Sequence, residues 1–180
     1  AQAATSIYID ANKDALADAA LATAKKLGAK YADIRINRYR LENVSTRERQ
    51  VLNVSSGQNF GFGVGVFING TWGFAASPIV TLDEVKRVTT EAAEIAKANS
   101  AIQRKKIELV PTPKVTANWK SSFERDPFDV PVDEKTAILL EINEAALSVK
   151  GVGFVNSSLS SVNEQKYLAT SDGSRIEQYI

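Results

Sequence analysis

Histidine and cysteine are both absent from this chain of 180 residues. Zinc sites in proteins are built from His, Cys and carboxylate side chains, and catalytic zinc sites nearly always include His. Nucleophile pairs of the Ser–His and Cys–His kinds need the same residue types. The composition therefore excludes these common catalytic arrangements and a disulfide framework, and leaves carboxylates, Lys and Tyr as the remaining candidates for chemistry.

Methionine is also absent, and the chain opens with Ala1-Gln2-Ala3-Ala4-Thr5. An Ala-x-Ala pattern is typical of the residues around a signal-peptidase cleavage site. We therefore expect an exported, periplasmic protein whose signal peptide has been removed, with a cytoplasmic protein as the alternative. Residues 175–180 have the pattern of a strand without a stop signal, so we expect the protein to continue beyond them.

Neither sign of charge is in excess, since the chain has 22 basic and 21 acidic residues. Nucleic-acid binding usually needs positive charge concentrated on one face, so we expect no nucleic-acid partner. No stretch approaches the roughly 20 consecutive apolar residues that a membrane-spanning helix needs. We therefore expect no membrane span.

Hydrophobic periodicity predicts three helices. The first covers residues 12–27. The second begins at the capping box formed by Thr81 and Glu84 and fades near residue 100. The third begins at Asp133, a favourable N-cap, and continues to Gly151. The residues expected on the buried face of the third helix are Ile138, Ile142, Ala145, Ala146 and Val149.

Alternating polar and apolar residues predict strands between and after these helices. Asn69-Gly70 lies between two apolar runs and predicts a tight hairpin turn, with Trp72 in the core. The fold class is α+β, with antiparallel meanders and hairpins and about three helices packed on the sheet. Residues 12–56 and 133–170 share the order helix, strand, strand, which is consistent with an internal duplication. The predicted strands cover residues 31–40, 49–55, 60–68, 71–75, 114–119, 152–162, 165–170 and the chain from Arg175.

Proline is concentrated in one segment of the chain. Four of the five prolines fall within residues 103–132, and proline interrupts both helices and strands. We therefore predict an N-terminal α+β subdomain at residues 1–102 and a Pro-containing connection at residues 103–132. A second α-β-β unit follows at residues 133–180.

Three glycines alternate in the strand before the Asn69-Gly70 turn. Because side chains alternate between the faces of a strand, Gly61, Gly63 and Gly65 leave one face without side chains. They do not fit a phosphate loop, which lies between a strand and a helix. Glycine inside a strand often marks close approach by another backbone or by a ligand. Two interpretations stay open: tight packing of a helix or second sheet, and a groove wall for a substrate peptide or partner domain.

Acidic residues occur in pairs on the predicted helices. Acids in a first helical turn are stabilised by the helix dipole, and a pair further along the third helix fits an exposed face. A structural role is sufficient for all of them, so we assign no residue of the chain a catalytic or metal-binding role. The pairs are Asp83 with Glu84, Asp133 with Glu134, and Glu141 with Glu144.

Four segments of the chain resemble one known family. The run Gly61–Ser77, with its Gly-rich strand, Asn-Gly turn and Trp-Gly-Phe-Ala ending, is similar to the N-terminal hairpin of the TldD/PmbA family. Asp126-Pro127-Phe128-Asp129-Val130, Ser171-Asp172-Gly173-Ser174 and Tyr31-Ala32-Asp33-Ile34-Arg35 also match. The matches occur in the family's order and span nearly the whole chain, so together they are more specific than any one of them.

The resemblance implies a zinc-dependent peptidase that acts on peptides or small unfolded proteins. The family's metal site resembles a His-Glu-x-x-x-His helix downstream of the region matched here, so zinc is expected in the full-length protein and not in this chain. The chain would then be the N-terminal, non-catalytic part, inactive by itself and continuing into a C-terminal catalytic domain. It would shape the substrate groove or the contact in a homo- or hetero-dimer of family members.

A stand-alone protein-binding or assembly module is the alternative function. The family has also been described as modulators of DNA gyrase, which favours such a module, although the even charge balance argues against DNA as its partner. A His-Glu-x-x-x-His motif encoded after Ile180 would favour the peptidase, and a stop codon there would favour the module. Well-known family members are cytoplasmic, which differs from the export expected here.

Overall fold

The computed structural model describes residues 12–180. The segment Ala1–Thr5, on which the expectation of export rests, lies outside the described residues. Three helices and six strands are present in these residues, with a 3-10 turn at Pro127–Asp129. The helices are α1 (Lys13–Lys26), α2 (Leu82–Ile102) and α3 (Val132–Leu147). The strands are β1 (Tyr31–Arg47), β2 (Gln50–Ile68), β3 (Thr71–Ser77), β4 (Thr116–Lys120), β5 (Asn156–Thr170) and β6 (Arg175–Tyr179).

The six strands form one mixed sheet in the order β3-β2-β1-β5-β6-β4. The pairs β2–β3 and β5–β6 are antiparallel, whereas β4 runs parallel to β6, with Trp119 opposite Gln178. The predicted α+β class, with three helices on a mostly antiparallel sheet, is confirmed. The order α1-β1-β2 recurs as α3-β5-β6, and a common origin of the two halves stays a prediction.

Three strands are longer than the sequence pattern predicted. β1 continues from residue 40 to Arg47, and β2 is one strand where two were predicted. β5 likewise joins the predicted strands 152–162 and 165–170 and begins at Asn156. The Ser-Ser-Gly-Gln-Asn sequence inside β2 resembles a turn, but ladder pairing with a neighbouring strand overrides such weak local preferences.

The chain forms two compact units, which do not follow its order. The first unit comprises the described residues up to Arg38, Phe60–Lys120 and Glu164–Tyr179. The second comprises Tyr39–Asn59 and Ser121–Asn163, with Ile180. The strands β1, β2 and β5 contribute residues to both units. The predicted subdomain boundaries at residues 102 and 132 divide the chain along its sequence, and they stay a prediction.

The core of the first unit lies between two helices and one face of the sheet. The apolar side chains of β1 and β2 that alternate toward this face are buried, and α1 contributes mainly small alanine side chains. Small residues let a helix lie close to a sheet, where burial removes apolar surface from water. The core includes Ile34, Ile36, Phe62, Val64 and Val66 from the sheet, Ala17, Ala20 and Ala24 from α1, and Val85, Val88, Ala92 and Ala96 from α2.

The contact between α2 and β3 is the closest part of this core. A Cβ atom added to Gly73 would lie 1.9 Å from the carbonyl oxygen of Ala92 and 2.5 Å from the amide nitrogen of Ala96. The Thr71 hydroxyl donates to the Ala96 carbonyl oxygen at 2.6 Å, and the Asn99 amide donates to the Trp72 carbonyl oxygen at 3.0 Å. Only glycine fits at position 73, because helix backbone occupies the space of its side chain.

The second unit corrects the predicted orientation of α3. The residues of α3 that are buried are Lys135, Leu139 and Asn143, whereas Ile138 is 44% exposed and Ile142 is 51% exposed. Ala145 and Val149 are also exposed, and Ala146 is half-buried. The helix begins at Val132, with Asp133 in its first turn rather than as its N-cap.

Polar pairing explains why α3 buries this face. The Lys135 ammonium forms an ion pair with Glu42. The Asn143 side-chain amide donates to the Glu48 carbonyl oxygen at 2.8 Å, and its oxygen accepts from the Ser157 hydroxyl at 2.5 Å. Buried polar groups that are fully paired can define a unique packing arrangement, so the predicted apolar stripe is wrong as the buried face.

We predict that Gly73→Ala destabilises the chain by about 3 kcal/mol, because the added methyl group overpacks the contact with α2. The measurement is urea-induced unfolding of the 180-residue chain, followed by circular dichroism. Gly57→Ala is the matched control in β2, since no atom lies within 4 Å of a Cβ added there. Equal stability of the two variants would contradict the close contact.

A second prediction tests the orientation of α3. Leu139→Ala should lower the free energy of unfolding by about 2–5 kcal/mol, because it leaves a cavity in the core. Ile142→Ala should change it by about 0.5 kcal/mol or less, as at other exposed positions. Both variants are measured by the same urea titration. A larger loss of stability for Ile142→Ala than for Leu139→Ala would support the apolar face that the sequence predicted for α3.

Candidate functional site

The two faces of the sheet in the first unit are covered differently. Phe62, Val64 and Val66 pack into the core, and strand alternation places the glycines between them on the opposite face. The atoms nearest to Cβ atoms added at Gly61, Gly63 and Gly65 belong to the neighbouring strands β1 and β3 and to Pro78. Their role in a substrate groove stays a prediction. A Cβ atom added at Gly61 would lie 2.9 Å from the Ser77 carbonyl oxygen. One added at Gly63 would lie 2.6 Å from the Phe74 ring, and one added at Gly65 would lie 3.0 Å from the Asp33 carboxylate.

A cavity of about 610 Å³ lies in the first unit beside the start of β1. We call it the Asp33 cavity. Its wall is formed by side chains of β1, by the first residues of β3, by the β5–β6 turn and by the segment 109–112. Its charged and aromatic lining consists of Lys30, Tyr31, Asp33, Arg35, Trp72 and Asp172.

Local conformation brings these distant segments together. Strand alternation places Tyr31, Asp33 and Arg35 on the same face of β1. The β2–β3 turn has positive φ at both Asn69 and Gly70 (+53° and +84°), as a type I′ hairpin requires, and it places Trp72 next to β1. The sequence prediction of this turn is confirmed.

Backbone hydrogen bonds fix the rest of the wall. Ser171 donates its amide to the Ala32 carbonyl oxygen at 2.8 Å, and its hydroxyl accepts from the Ala32 amide at 3.0 Å. The segment 107–115 is held at both ends. The Ile107 amide donates to the Gly70 carbonyl oxygen at 3.1 Å, and the Arg175 amide donates to the Val115 carbonyl oxygen at 2.8 Å.

Asp33 carries a nearly buried carboxyl group at this cavity. The residue is 5% exposed, and one Arg35 guanidinium nitrogen lies 3.3 Å from its Oδ1 atom. Burial raises the pKa of Asp33 above its ordinary value, and the Arg35 charge opposes part of that rise. Because the Arg35 side chain is 62% exposed, water screens its charge and the carboxylate is only partly compensated.

Aromatic rings form the apolar part of the cavity. The rings of Tyr31 and Trp72 meet edge to face with centroids 5.6 Å apart, and Phe67 packs against Trp72 at 5.2 Å. Trp72 is 39% exposed, so the prediction that places it in the core is correct for only part of its surface. Burial and the charges of Asp33 and Asp172 raise the pKa of Tyr31, so its hydroxyl stays protonated at neutral pH.

The paired acids on the helices have partners of their own. Glu84 and Glu134 form ion pairs with Arg87 and Arg125, and the hydrogen bond from Arg87 lowers the pKa of Glu84 to about 2. Within residues 12–180, no group of three or more acidic side chains could hold a metal ion. In the same part of the chain, no helix is both long and apolar enough to span a membrane. The Asp33 cavity, which combines a nearly buried carboxylate with aromatic side chains, is the candidate ligand site.

Sequence analysis identified the segments that line this cavity, but it did not predict that they come together to form one. Tyr31–Arg35, the Trp72 hairpin and Ser171–Ser174 were identified only as family-like segments. Their meeting depends on strand order, with β1 lying between β2 and β5. The one local signal was a charged pair, Asp33 and Arg35, within a strand whose neighbouring residues are apolar.

Comparisons with known proteins give consistent matches along the chain. The model of domain 1 of the PmbA/TldA metallopeptidases matches residues 32–96, and the model of their central domain matches residues 125–180. Together they cover about two thirds of the chain. The chain is 30% identical over 150 residues to a metalloprotease of Methanocaldococcus jannaschii. It is 31% identical over 147 residues to a metalloprotease of Methanothermobacter thermautotrophicus.

These matches cover 83% and 82% of this chain but only 33% and 31% of the two relatives. The chain thus spans about one third of the length of the curated relatives that it matches. A crystal structure from Bacteroides thetaiotaomicron, described as a candidate modulator of DNA gyrase, superposes with a TM-score of 0.72. That likeness covers 95% of this chain and 39% of the other at 16% identity, so it supports the fold alone.

The buried carboxylate predicts a pH-dependent effect of Asp33→Asn. The pKa of Asp33 is higher in the folded chain than in the unfolded chain. As the pH rises above the ordinary pKa of Asp, the unfolded chain therefore loses this proton first. The folded state becomes less stable as a result, and at neutral pH the ionised Asp33 lowers the free energy of unfolding. Asp33→Asn should therefore raise the melting temperature at pH 7, and the gain should shrink toward pH 4.

Thermal melts at the two pH values measure this effect. Glu94→Gln, at an exposed position in the middle of α2, is the control and should change neither melt. A lower melting temperature of Asp33→Asn at pH 7 would show instead that the carboxylate stabilises the fold.

Proposed function

The chain belongs to the TldD/PmbA family, and from that premise we propose that it is the N-terminal, non-catalytic part of a zinc-dependent peptidase. In this proposal the first unit forms one wall of the substrate groove of the full-length protein. The observation that carries it is the sheet face opposite α1 and α2, which holds Gly61, Gly63 and Gly65 and on which Gly65 lies against Asp33, a residue that lines the Asp33 cavity.

The form of this face suits an extended peptide. Gly61 and Gly63 are half-buried and carry no side chains of their own, so this part of the face is shallow, and extended peptides commonly bind through side-chain pockets next to such a surface. At Gly63 the nearest neighbour is the Phe74 ring, which is exposed and free to contact a ligand. The cavity adds polar groups of both signs at the start of β1.

The residues of this chain do not fit a zinc site. His and Cys are absent, and the described residues contain no cluster of three or more acidic side chains that could hold a metal ion. In the proposed peptidase, zinc and the residues that act on the peptide bond therefore belong to the part of the full-length protein outside this chain. The contribution of this chain is to bind and orient the peptide.

Two other roles are compatible with the family. The same face could form the contact in a homo- or hetero-dimer, with a peptide as the substrate of the assembled complex. A stand-alone assembly module is the second alternative, because the family that the chain resembles has also been described as modulators of DNA gyrase. A dimer contact predicts that substitutions in the glycine face alter subunit association together with cleavage, and an assembly module predicts no effect on cleavage, so cleavage and association measured together separate both from the groove wall.

Gly63→Val in the full-length protein tests the groove wall. The valine side chain would displace the Phe74 ring, whose nearest atom lies 2.6 Å from the added Cβ. We expect kcat/KM for an unstructured peptide to fall roughly ten- to hundred-fold through misplacement of the substrate, while the zinc content stays that of the parent protein.

Gly57→Val is the matched control, because it adds the same side chain to β2 where no atom lies within 4 Å. It should leave both cleavage and zinc content unchanged. Unchanged cleavage by the Gly63 variant would reject the groove wall. Reduced cleavage together with altered subunit association would favour the dimer contact.

A further inference from the structure

We propose that the Asp33 cavity binds a primary ammonium group with an adjacent carbonyl and an apolar side chain, as found at the amino terminus of a peptide. The inference rests on the proposed function for its choice of a peptide as the ligand. It goes beyond a groove wall, because it assigns one end of the peptide to one set of side chains.

The Asp33 carboxylate provides the first argument. An ionised carboxylate accepts up to about four hydrogen bonds, and burying it is unfavourable unless it is paired. Its partner in the described residues is Arg35, at 3.3 Å and largely exposed. An ammonium group brings three donors and would complete the pairing that Arg35 leaves unfinished.

The surrounding strand is arranged around this carboxylate. A Cβ atom added at Gly65 would lie 3.0 Å from Asp33 Oδ2, which is closer than most side chains tolerate. Glycine within a strand often marks the close approach of a ligand or another chain segment. Here it leaves room for the carboxylate at the cavity, which links the Gly-rich strand to the same site.

The other lining residues favour a ligand with both charge and apolar surface. Trp72 and Tyr31 offer aromatic surface, which attracts cations as well as apolar groups. Val110, on the segment that lines the cavity, is exposed and would be covered by an apolar side chain of the ligand. Such mixed lining is typical of small-molecule sites.

Positive charge in the same lining separates this ligand from a simple cation. Lys30 and Arg35 balance the carboxylates of Asp33 and Asp172, so the cavity has no net charge that would concentrate inorganic cations. Their N–H groups suit the carbonyl or carboxylate oxygen next to an ammonium group. The arrangement of opposite charges therefore matches an amino acid or a peptide end.

Binding to the 180-residue chain tests the inference without any cleavage. The probes are the tripeptide Leu-Gly-Gly, its N-acetylated form and free leucine, titrated by isothermal calorimetry. Leu-Gly-Gly should bind, and acetylation should weaken binding by roughly tenfold or more, since it removes the charged donor. Absence of binding by all three probes, or equal binding of the acetylated peptide, would overturn the proposal.

Free leucine identifies the source of the ammonium group. Tighter binding of the tripeptide supports a peptide amino terminus. Equal binding of leucine supports the same site with a free amino acid as its ligand. Because no bond is cleaved in these titrations, a failure of the groove-wall test with Gly63→Val does not affect this result.

Variants place the binding in the cavity. Asp33→Asn keeps the shape of the side chain and should weaken binding of Leu-Gly-Gly roughly tenfold or more, whereas Asp83→Asn should leave it unchanged. Trp72→Leu removes the aromatic surface and should also weaken binding, which keeps the test informative if one variant folds poorly. Unchanged binding by both cavity variants would overturn the assignment to this site.

Discussion

The close contact of α2 with β3 is the constraint on which the first unit depends. At Gly73 the helix backbone occupies the space of a side chain, so α2 and the sheet lie as near to each other as their backbones permit. With α1 and α2 packed on one face, the alternation of β2 assigns Phe62, Val64 and Val66 to the core and Gly61, Gly63 and Gly65 to the other face. The position of the candidate site follows from this assignment.

Local sequence signals were sufficient for part of this fold. The Asn69-Gly70 turn and the Thr81 cap of α2 were identified because their geometry needs particular residues. The face of α3 was predicted wrongly because Lys135 and Asn143 are polar. Their burial depends on Glu42, Glu48 and Ser157, which are distant in sequence, and periodicity of apolar residues contains no information about such pairing.

The Asp33 cavity illustrates the same limit for function. Its side chains come from the start of β1, the β2–β3 hairpin and the β5–β6 turn, and each segment has a sufficient structural explanation by itself. Family resemblance marked those segments as similar, but only strand order brings Asp33, Trp72 and Asp172 to one place. The buried and poorly paired Asp33 carboxylate then lowers the stability of the fold, and proteins commonly retain such destabilising groups at functional sites.

The segment 107–115 has a consequence for the thermodynamics of ligand binding. Because main-chain hydrogen bonds hold both of its ends, this wall of the cavity has fewer conformations to lose when a ligand enters than a segment held at one end only. A ligand then avoids part of the entropic penalty of ordering a loop, which commonly removes a large part of the gross interaction energy. Measured affinity at this site would report mainly on the new contacts, and the associated heat-capacity change would reflect buried apolar surface rather than folding of the segment.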